Sequence, residues 1–347
     1  MDMRLKSGMS KQARVAFAQA SYLAQVRRLR SLAQQALGLY ALRVEACRFL
    51  GHGENTTFQV LAKGGKRFLL RIHRNDYHSR PGIVEELLWL QELSADPMLI
   101  VPKPILSKRG QLVERVETSD VGEARHCSVL EWIDGRFINK SLNRSHMENV
   151  GHVIGRLHKV GRHRKVVERP CWNAEGLIGM NPKLGSVENL PGISSSDQRL
   201  ISDGRRAAFR RLKRFEARFP HKQGMIHADL HFGNLLLSQG RIAAIDFDDC
   251  GFGFHAYDLV VPLRHAEHIL GRRRRRELPA LKEALIEGYC HEAGWDKYDE
   301  EIFSDMVTAR ALALLAWFNS RSDNPGLKKH FKAVAGRVVK HLRARQS

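Results

Sequence analysis

Ile226-His227-Ala228-Asp229-Leu230-His231-Phe232-Gly233-Asn234, followed by Ile245-Asp246-Phe247-Asp248, is the stretch on which the reading of this chain turns. Asp229 and Asn234 stand five residues apart in what reads as a tight loop. Asp246 follows two short apolar runs, 235–237 and 242–245, that read as strands. A phosphoryl-transfer site needs a carboxylate beside the acceptor hydroxyl, plus an amide and a second acid to hold Mg²⁺ on nucleotide phosphates. All three residue types are present in that order. Asp229 is therefore the candidate catalytic base, and Asn234 and Asp246 are the candidate metal ligands, hard oxygens of the kind Mg²⁺ prefers. Singly, each of these residues reads as a turn cap. Together, framed by two apolar runs, they favour a site. Asp248 is assigned to assist the metal or orient Asp246, on the expectation that Asp246-Phe247-Asp248 is extended and keeps both acids on one side.

Outward from this stretch the chain changes character twice. Residues 11–37 read as a helix, rich in Ala, Leu, Gln and Arg and free of Pro. Strands are expected at 42–50, 57–61 and 67–72, with Gly64-Gly65 turning between the last two. A helix follows Pro81-Gly82 through Glu85, Leu88 and Leu93, and further strands are expected at 111–116 and 126–132. After Gly135 the pattern is mainly helical, with a core-facing stripe at Val150, Ile154 and Leu157. Residues 166–200 are rich in Pro, Gly, Asn and Ser and read as irregular; 205–219 and everything from 256 onward read as helix. The expected division is a helical extension at 1–38, a β-rich nucleotide-binding lobe at 39–131, and a lobe at 132–347 carrying the catalytic loop, the metal site and the acceptor helices.

His-x-Asp-x-x-x-x-Asn followed by Asp-Phe-Asp, as written at 227–234 and 246–248, resembles the aminoglycoside phosphotransferase and choline kinase superfamily. The resemblance spans roughly residues 40–320 in layout, on motifs of a few dozen positions. It implies an α+β, protein-kinase-like, two-lobed fold, with a small antiparallel sheet and one helix in the first lobe and a mainly helical second lobe. It also implies ATP- and Mg²⁺-dependent phosphorylation of a hydroxyl on a small molecule or a protein Ser/Thr. Arg71, in Phe68-Leu69-Leu70-Arg71-Ile72, sits where the family carries a nucleotide-binding Lys; a guanidinium can clamp phosphate oxygens with different geometry. Glu86 resembles the helix acid that pairs with that cation, with Glu85 as the other candidate. Gly51, Gly53 and Asn55, in the turn 51–57, resemble the phosphate-covering turn whose backbone amides approach the nucleotide. Glu131 and Ile133 sit where the family binds adenine through backbone groups. His227 is expected to brace the loop and the metal segment. Asp258 is expected to cap the next helix or accept a buried hydrogen bond, and Trp317, Arg310 and Arg321 to border an acceptor pocket.

The 347 residues carry 57 Lys and Arg against 37 Asp and Glu, a formal charge of +20 that favours anionic ligands. An acidic partner is one consequence, and a rival reading makes the chain a catalytically weak kinase-like scaffold for nucleic acid or a membrane surface. Its support is the basic N-terminal helix, the Arg272–Arg276 block and the Arg71 departure. No nucleic-acid module accompanies these charges, few aromatics are interleaved, and no apolar stretch is long enough to span a bilayer. Five scattered cysteines without a C-x-x-C pair argue against zinc and disulfides and fit a cytoplasmic setting. A polycationic acceptor suits the basic excess less well than a neutral or anionic one.

Overall fold

The computed structural model describes residues 12–138, 142–322 and 325–345. The first eleven residues of the expected extension, Asn139–Ser141, Asp323–Asn324 and the last two residues lie outside the described residues. The fold is α+β, and it divides into two compact units, one through Asp134 and one from Gly135.

In the small unit, helix α1 (Tyr22–Gly38) starts at Ser21, whose hydroxyl accepts from the Ala24 amide. Its buried residues, Leu29, Leu32, Ala33, Ala36 and Leu37, repeat at the three-four spacing of one helical face. That face joins Phe58, Val60, Leu70, Ile72 and Val129 in one core. The N-terminal helix is thus built into the unit that holds the sheet. Strands β1 (Val44–His52), β2 (Asn55–Ala62), β3 (Arg67–His73), β4 (Pro104–Ile105), β5 (Glu114–Val116) and β6 (Arg125–Glu131) form an antiparallel sheet in the order β1-β2-β3-β6-β4, with β5 also on β6. Gly64 and Gly65 turn β2 into β3 at φ +84° and +78°, a conformation that costs glycine little. The strand expected at 111–116 is only three residues long, beginning at Glu114. Helix α2 (Arg80–Leu93) starts at Ser79, whose hydroxyl caps the Gly82 amide, with Pro81 in the first turn.

In the large unit, β7 (Arg136–Phe137) joins the sheet β11-β10-β7, built on the hairpin of β10 (Leu235–Ser238) and β11 (Arg241–Ala244). A second sheet, in the order β8-β12-β9, holds β8 (Cys171–Trp172), β9 (Gln223–Ile226) and β12 (Gly251–Phe254). Around them run α3 (Arg144–Gly161), α4 (Ala174–Ile178), α5 (Ser195–Arg218), α6 (His255–Arg274), α7 (Leu278–Glu292), α8 (Lys297–Ser320) and α9 (Pro325–Arg343). Helices α3 and α7 meet backbone to backbone: a Cβ on Gly151 would lie 2.1 Å from the Leu285 carbonyl oxygen, and one on Gly288 1.9 Å from that of Glu148.

Two expectations need correction here. The segment 166–200 is not irregular throughout: it contains β8 and α4, and α5 begins at Ser195, ten residues before the expected start. Ser194 caps the Asp197 amide and launches a polar first turn that hydrophobic periodicity cannot register. The stretch from 256 onward, read as helix, is interrupted at the Arg272–Arg276 block. The block straddles the end of α6, which is kinked at Gly271 (φ +59°), and a 3-10 turn at Arg275–Glu277. Arg274 and Arg275 pair with Glu277 and Glu267, so part of this charge is met by acids of the same chain.

Candidate active site

In the small unit, strand alternation sends Leu70 and Ile72 into the core and Arg71 to the opposite face. There Arg71 Nη2 donates to Glu86 Oε1 at 2.5 Å, the side chains being 4% and 0% exposed. Of the two candidates Glu85 and Glu86, it is Glu86 that pairs with the strand cation. Removing two charges from water is costly, and only close, hydrogen-bonded geometry offsets it. The turn between β1 and β2 is a hairpin. Gly53 N donates to the Asn55 carbonyl at 2.9 Å, and Asn55 Oδ1 accepts from the Arg74 amide at 3.4 Å. A side chain at Gly53 would meet nothing within 4 Å, so the turn is open on that side. His52 Nδ1 lies 2.7 Å from the Thr56 hydroxyl and ties the two strands together. At the other edge Glu131 pairs with Phe68, and its amide donates to the Lys103 carbonyl; Ile133 is half-buried just past the strand end.

In the large unit, residues 227–234 form the loop between β9 and β10. Buried Asp258, in the first turn of α6, organises it. Its Oδ2 accepts from the His227 amide at 2.8 Å, and its Oδ1 from the Ala228 amide at 2.7 Å. Two donors clamped on one carboxylate hold the chain through Ala228, which sits at φ +70°, unfavourable for a residue with a Cβ. His158 Nε2 lies 3.1 Å from the same Oδ2, and its Nδ1 lies 3.0 Å from the Tyr289 hydroxyl. Asp258 is thus the buried acceptor its position suggested, and it acts on the loop before the helix. His227 Nε2 donates to the Ile245 carbonyl at 3.1 Å, and its Nδ1 accepts from the Asp229 amide at 3.3 Å. The carbonyl can only accept, so the ring proton lies on Nε2. His227 is therefore a brace between the loop and the segment leading to Asp246.

Asn234 Nδ2 donates to the Asp229 carbonyl at 3.0 Å. That bond orients the amide and leaves Oδ1 as the atom suited to a cation. The Ile245 amide donates to the Asn234 carbonyl at 3.0 Å, so the residue before Asp246 is tied to Asn234 through the backbone. Asp246 is exposed and sits at φ +61°. This overturns the expectation of an extended Asp246-Phe247-Asp248: the left-handed residue breaks the alternation, and a turn begins at Asp248, which is buried. Phe247 packs its ring 4.4 Å from that of His227. Arg169 bonds the Asp248 and Cys250 carbonyls, and Trp172 Nε1 donates to the Asp249 carbonyl at 2.7 Å. Among the described residues no group of three His, Cys, Asp or Glu side chains could hold a metal ion by themselves. An amide and one exposed acid fit a cation that takes its remaining ligands from water and phosphate, as Mg²⁺ does.

Asp229 meets two cationic or potentially cationic neighbours. Arg310 Nη2, from α8, donates to Oδ1 at 2.9 Å, and His231 Nε2 lies 3.5 Å from Oδ2. Burial pushes the Asp229 carboxyl up, but Arg310, His231 and His227 outweigh it and hold it below the usual carboxylate range. Burial works against charge on Arg310 as well; Tyr257 and Asp229 more than offset it, and its pKa is raised. Sequence reasoning placed Arg310 only at the border of an acceptor pocket, whereas it contacts the candidate base directly. It had no reading of His265, whose Nδ1 accepts from the Phe232 amide at 2.9 Å. His265 lies on α6, six residues and nearly two helical turns past the run 256–259. Trp317 and Arg321 lie against each other, the guanidinium 4.6 Å from the ring centroid.

No described helix is long and apolar enough to cross a membrane. Residues 45–300 match the phosphotransferase enzyme family. The chain is 26% identical over 234 residues to amicoumacin kinase of Bacillus subtilis (strain 168), spanning 66% of each protein, just under two thirds of that relative. It is 26% identical over 294 residues to stress response kinase A of Salmonella paratyphi A (strain ATCC 9150 / SARB42), spanning 82% of this chain and 80% of that one. Among solved structures, a microcompartment-associated aminopropanol kinase matches with a TM-score of 0.72 at 29% identity, over 90% of this chain and 94% of that one. An amicoumacin kinase in complex with AMP-PNP and Ca²⁺ shares the fold with a TM-score of 0.74 at 22% identity, over 90% and 93%. The match covers most of the chain and includes both the Arg71 strand and the 227–248 segment, so the chain belongs to the phosphotransferase enzyme family.

Proposed function

We propose that this chain passes the γ-phosphate of ATP, with Mg²⁺, to a hydroxyl of a small molecule or of a protein Ser/Thr. The observation that carries the reading is the arrangement of 227–246. Asp229 and Asn234 are joined by a side-chain-to-backbone bond, and Ile245, next to Asp246, is hydrogen-bonded to Asn234. Relatives named amicoumacin kinase and aminopropanol kinase, and one from Salmonella typhimurium named a serine/threonine protein kinase, support both acceptor classes.

Asp229 is assigned to orient the acceptor hydroxyl and take its proton late in the transfer. Its depressed pKa keeps it ionised near neutral pH, ready to accept. The metal, when bound, neutralises charge on the transferring phosphoryl group. Asn234 Oδ1 and the Asp246 carboxylate are the atoms assigned to hold it, and Asp248 is assigned a supporting part through its place in the next turn. In the small unit, Arg71, fixed by Glu86, is assigned to the phosphates, the Gly51, Gly53 and Asn55 turn to cover them through backbone amides, and the backbone at Glu131 and Ile133 to the adenine. Arg310 and His231 beside Asp229 favour a neutral or anionic acceptor over a polycation.

The test is phosphate transfer from radiolabelled ATP with Mg²⁺ across 1-amino-2-propanol, choline, homoserine, kanamycin and casein. Transfer to at least one acceptor is expected, and Asp229→Asn should lower it by about 10²- to 10⁴-fold. An Asp229→Asn protein that transfers at the parent rate would overturn the base assignment.

A further inference from the structure

Asp229 does not stand alone in the fold. Its Oδ1 is taken by Arg310 Nη2 at 2.9 Å, and Arg310 Nη1 donates to the Tyr257 hydroxyl at 3.1 Å. The guanidinium also lies 5.8 Å from the centre of the Tyr257 ring. Tyr257 stacks on Trp172, with the ring centres 6.3 Å apart and the planes 9° from parallel. The Trp172 indole donates to the carbonyl of Asp249, in the turn that begins two residues past Asp246. Tyr257 in turn precedes Asp258, which holds the His227 and Ala228 amides. A continuous set of contacts therefore runs from the candidate base to the turn after the candidate metal ligand, and Arg310 is the member that touches the base.

A carboxylate on a single methylene can swing about its χ angles, and either oxygen can present itself. A planar guanidinium anchored at one nitrogen by a buried hydroxyl removes that freedom, which an ammonium with one flexible point of contact does not. We propose that Arg310 is a positioning residue. Its bond to Oδ1 locks Asp229 so that Oδ2 is offered to the acceptor hydroxyl, and Tyr257 and Trp172 tie that orientation to the turn after Asp246. Oδ2 is the available oxygen because its neighbour, His231 Nε2, stands 3.5 Å away, too far for a strong hydrogen bond. Arg310 lies 81 residues from Asp229 in the chain, and no local motif announces it. The proposal rests on Asp229 serving as the base.

The experiment uses the full-length chain and reads ADP release from MgATP with water as the acceptor. Arg310→Ala should lower turnover by on the order of 100-fold, the effect of misplacing a catalytic group. Its KM for MgATP should change by less than about threefold, because the nucleotide does not depend on this contact. Free guanidinium at millimolar concentration should restore part of the lost turnover. Asp229→Asn combined with Arg310→Ala should be no slower than Asp229→Asn alone, since Arg310 acts only through the carboxylate. Arg310→Lys keeps the charge without the fork. It covers the case in which the alanine variant fails to fold, and it should fall between the parent and Asp229→Asn at an unchanged melting temperature. Parent turnover in Arg310→Lys, a loss in Arg310→Ala confined to KM, or a fully multiplicative double variant would each overturn the proposal. An impaired Asp229→Asn beside an unimpaired Arg310→Lys removes the positioning role and leaves the base in place; an unimpaired Asp229→Asn removes both.

Discussion

Each unit of this protein holds an arginine against an acid, and the two pairs are built differently. Arg71 and Glu86 are 4% and 0% exposed, sealed in the small unit. Arg310 and Asp229 are 15% and 25% exposed in the large one. The sealed pair is a fixed strut: its partners are chosen by strand and helix packing, and neither charge can rotate away without being stranded in low dielectric. The partly open pair keeps one carboxylate oxygen within reach of a reactant. A buried ion pair presents a cation with constant geometry, whereas a partly exposed one lets an acid take part in chemistry while a cation holds it still.

That contrast can be broken most forcefully at the strut. Glu86→Ala leaves the Arg71 guanidinium buried without its acid and should cost about 3–5 kcal/mol of stability, read from the shift in a urea melt. Asp229→Asn keeps the side-chain shape and leaves a partly exposed Arg310 still bonded to Tyr257, so it should cost less than Glu86→Ala in the same melt. If the two substitutions destabilise equally, the distinction between strut and working pair is wrong.

A smaller effect is expected at Asp258, which serves the open region from beneath. Asp258→Asn replaces one of two acceptor oxygens facing buried amide donors, at a cost of about 1–3 kcal/mol. Because those amides belong to His227 and Ala228, turnover should fall as well, with less change in KM for MgATP. A stability loss with parent turnover would show that the loop keeps its shape without both bonds.

A further effect is a pH dependence at His265. Burial, with His231 and His268, pushes this histidine down from 6.5 to about 4. Between those values the unfolded chain binds a proton that the folded chain does not, so stability rises with pH across the window. The contribution is therefore complete above about pH 6.5 and is lost as pH falls toward about 4. Protonation of Nδ1 would also break the bond it accepts from the Phe232 amide. His265→Gln should flatten the melting temperature between pH 7 and pH 5 relative to the parent chain. An equally steep profile in the variant would assign the dependence to another group.

Which parts of the molecule were legible beforehand follows from the range of the forces involved. The strands expected at 57–61, 67–72 and 126–132, the Gly64-Gly65 turn and the stripe at Val150, Ile154 and Leu157 are written in local pattern, and they stand within a residue or two of where that pattern put them. The start of α5 is not, because its first turn is polar and is launched by the single hydroxyl of Ser194. The bend at Asp246 was also hidden. A left-handed φ on an aspartate is set by what surrounds it, and nothing in Asp-Phe-Asp marks it.

By itself the sequence determined the chemical inventory of the loop. An acid and an amide five residues apart, with a second acid after one hairpin, are covalently kept within reach of each other, so their order already carries the chemistry. Tertiary structure alone decided how those groups are held. Asp258 beneath the loop, Arg310 on the base and His265 behind Phe232 lie 30 or more residues from what they touch. Contacts over that distance arise only when helices pack, and no spacing rule along the chain encodes them.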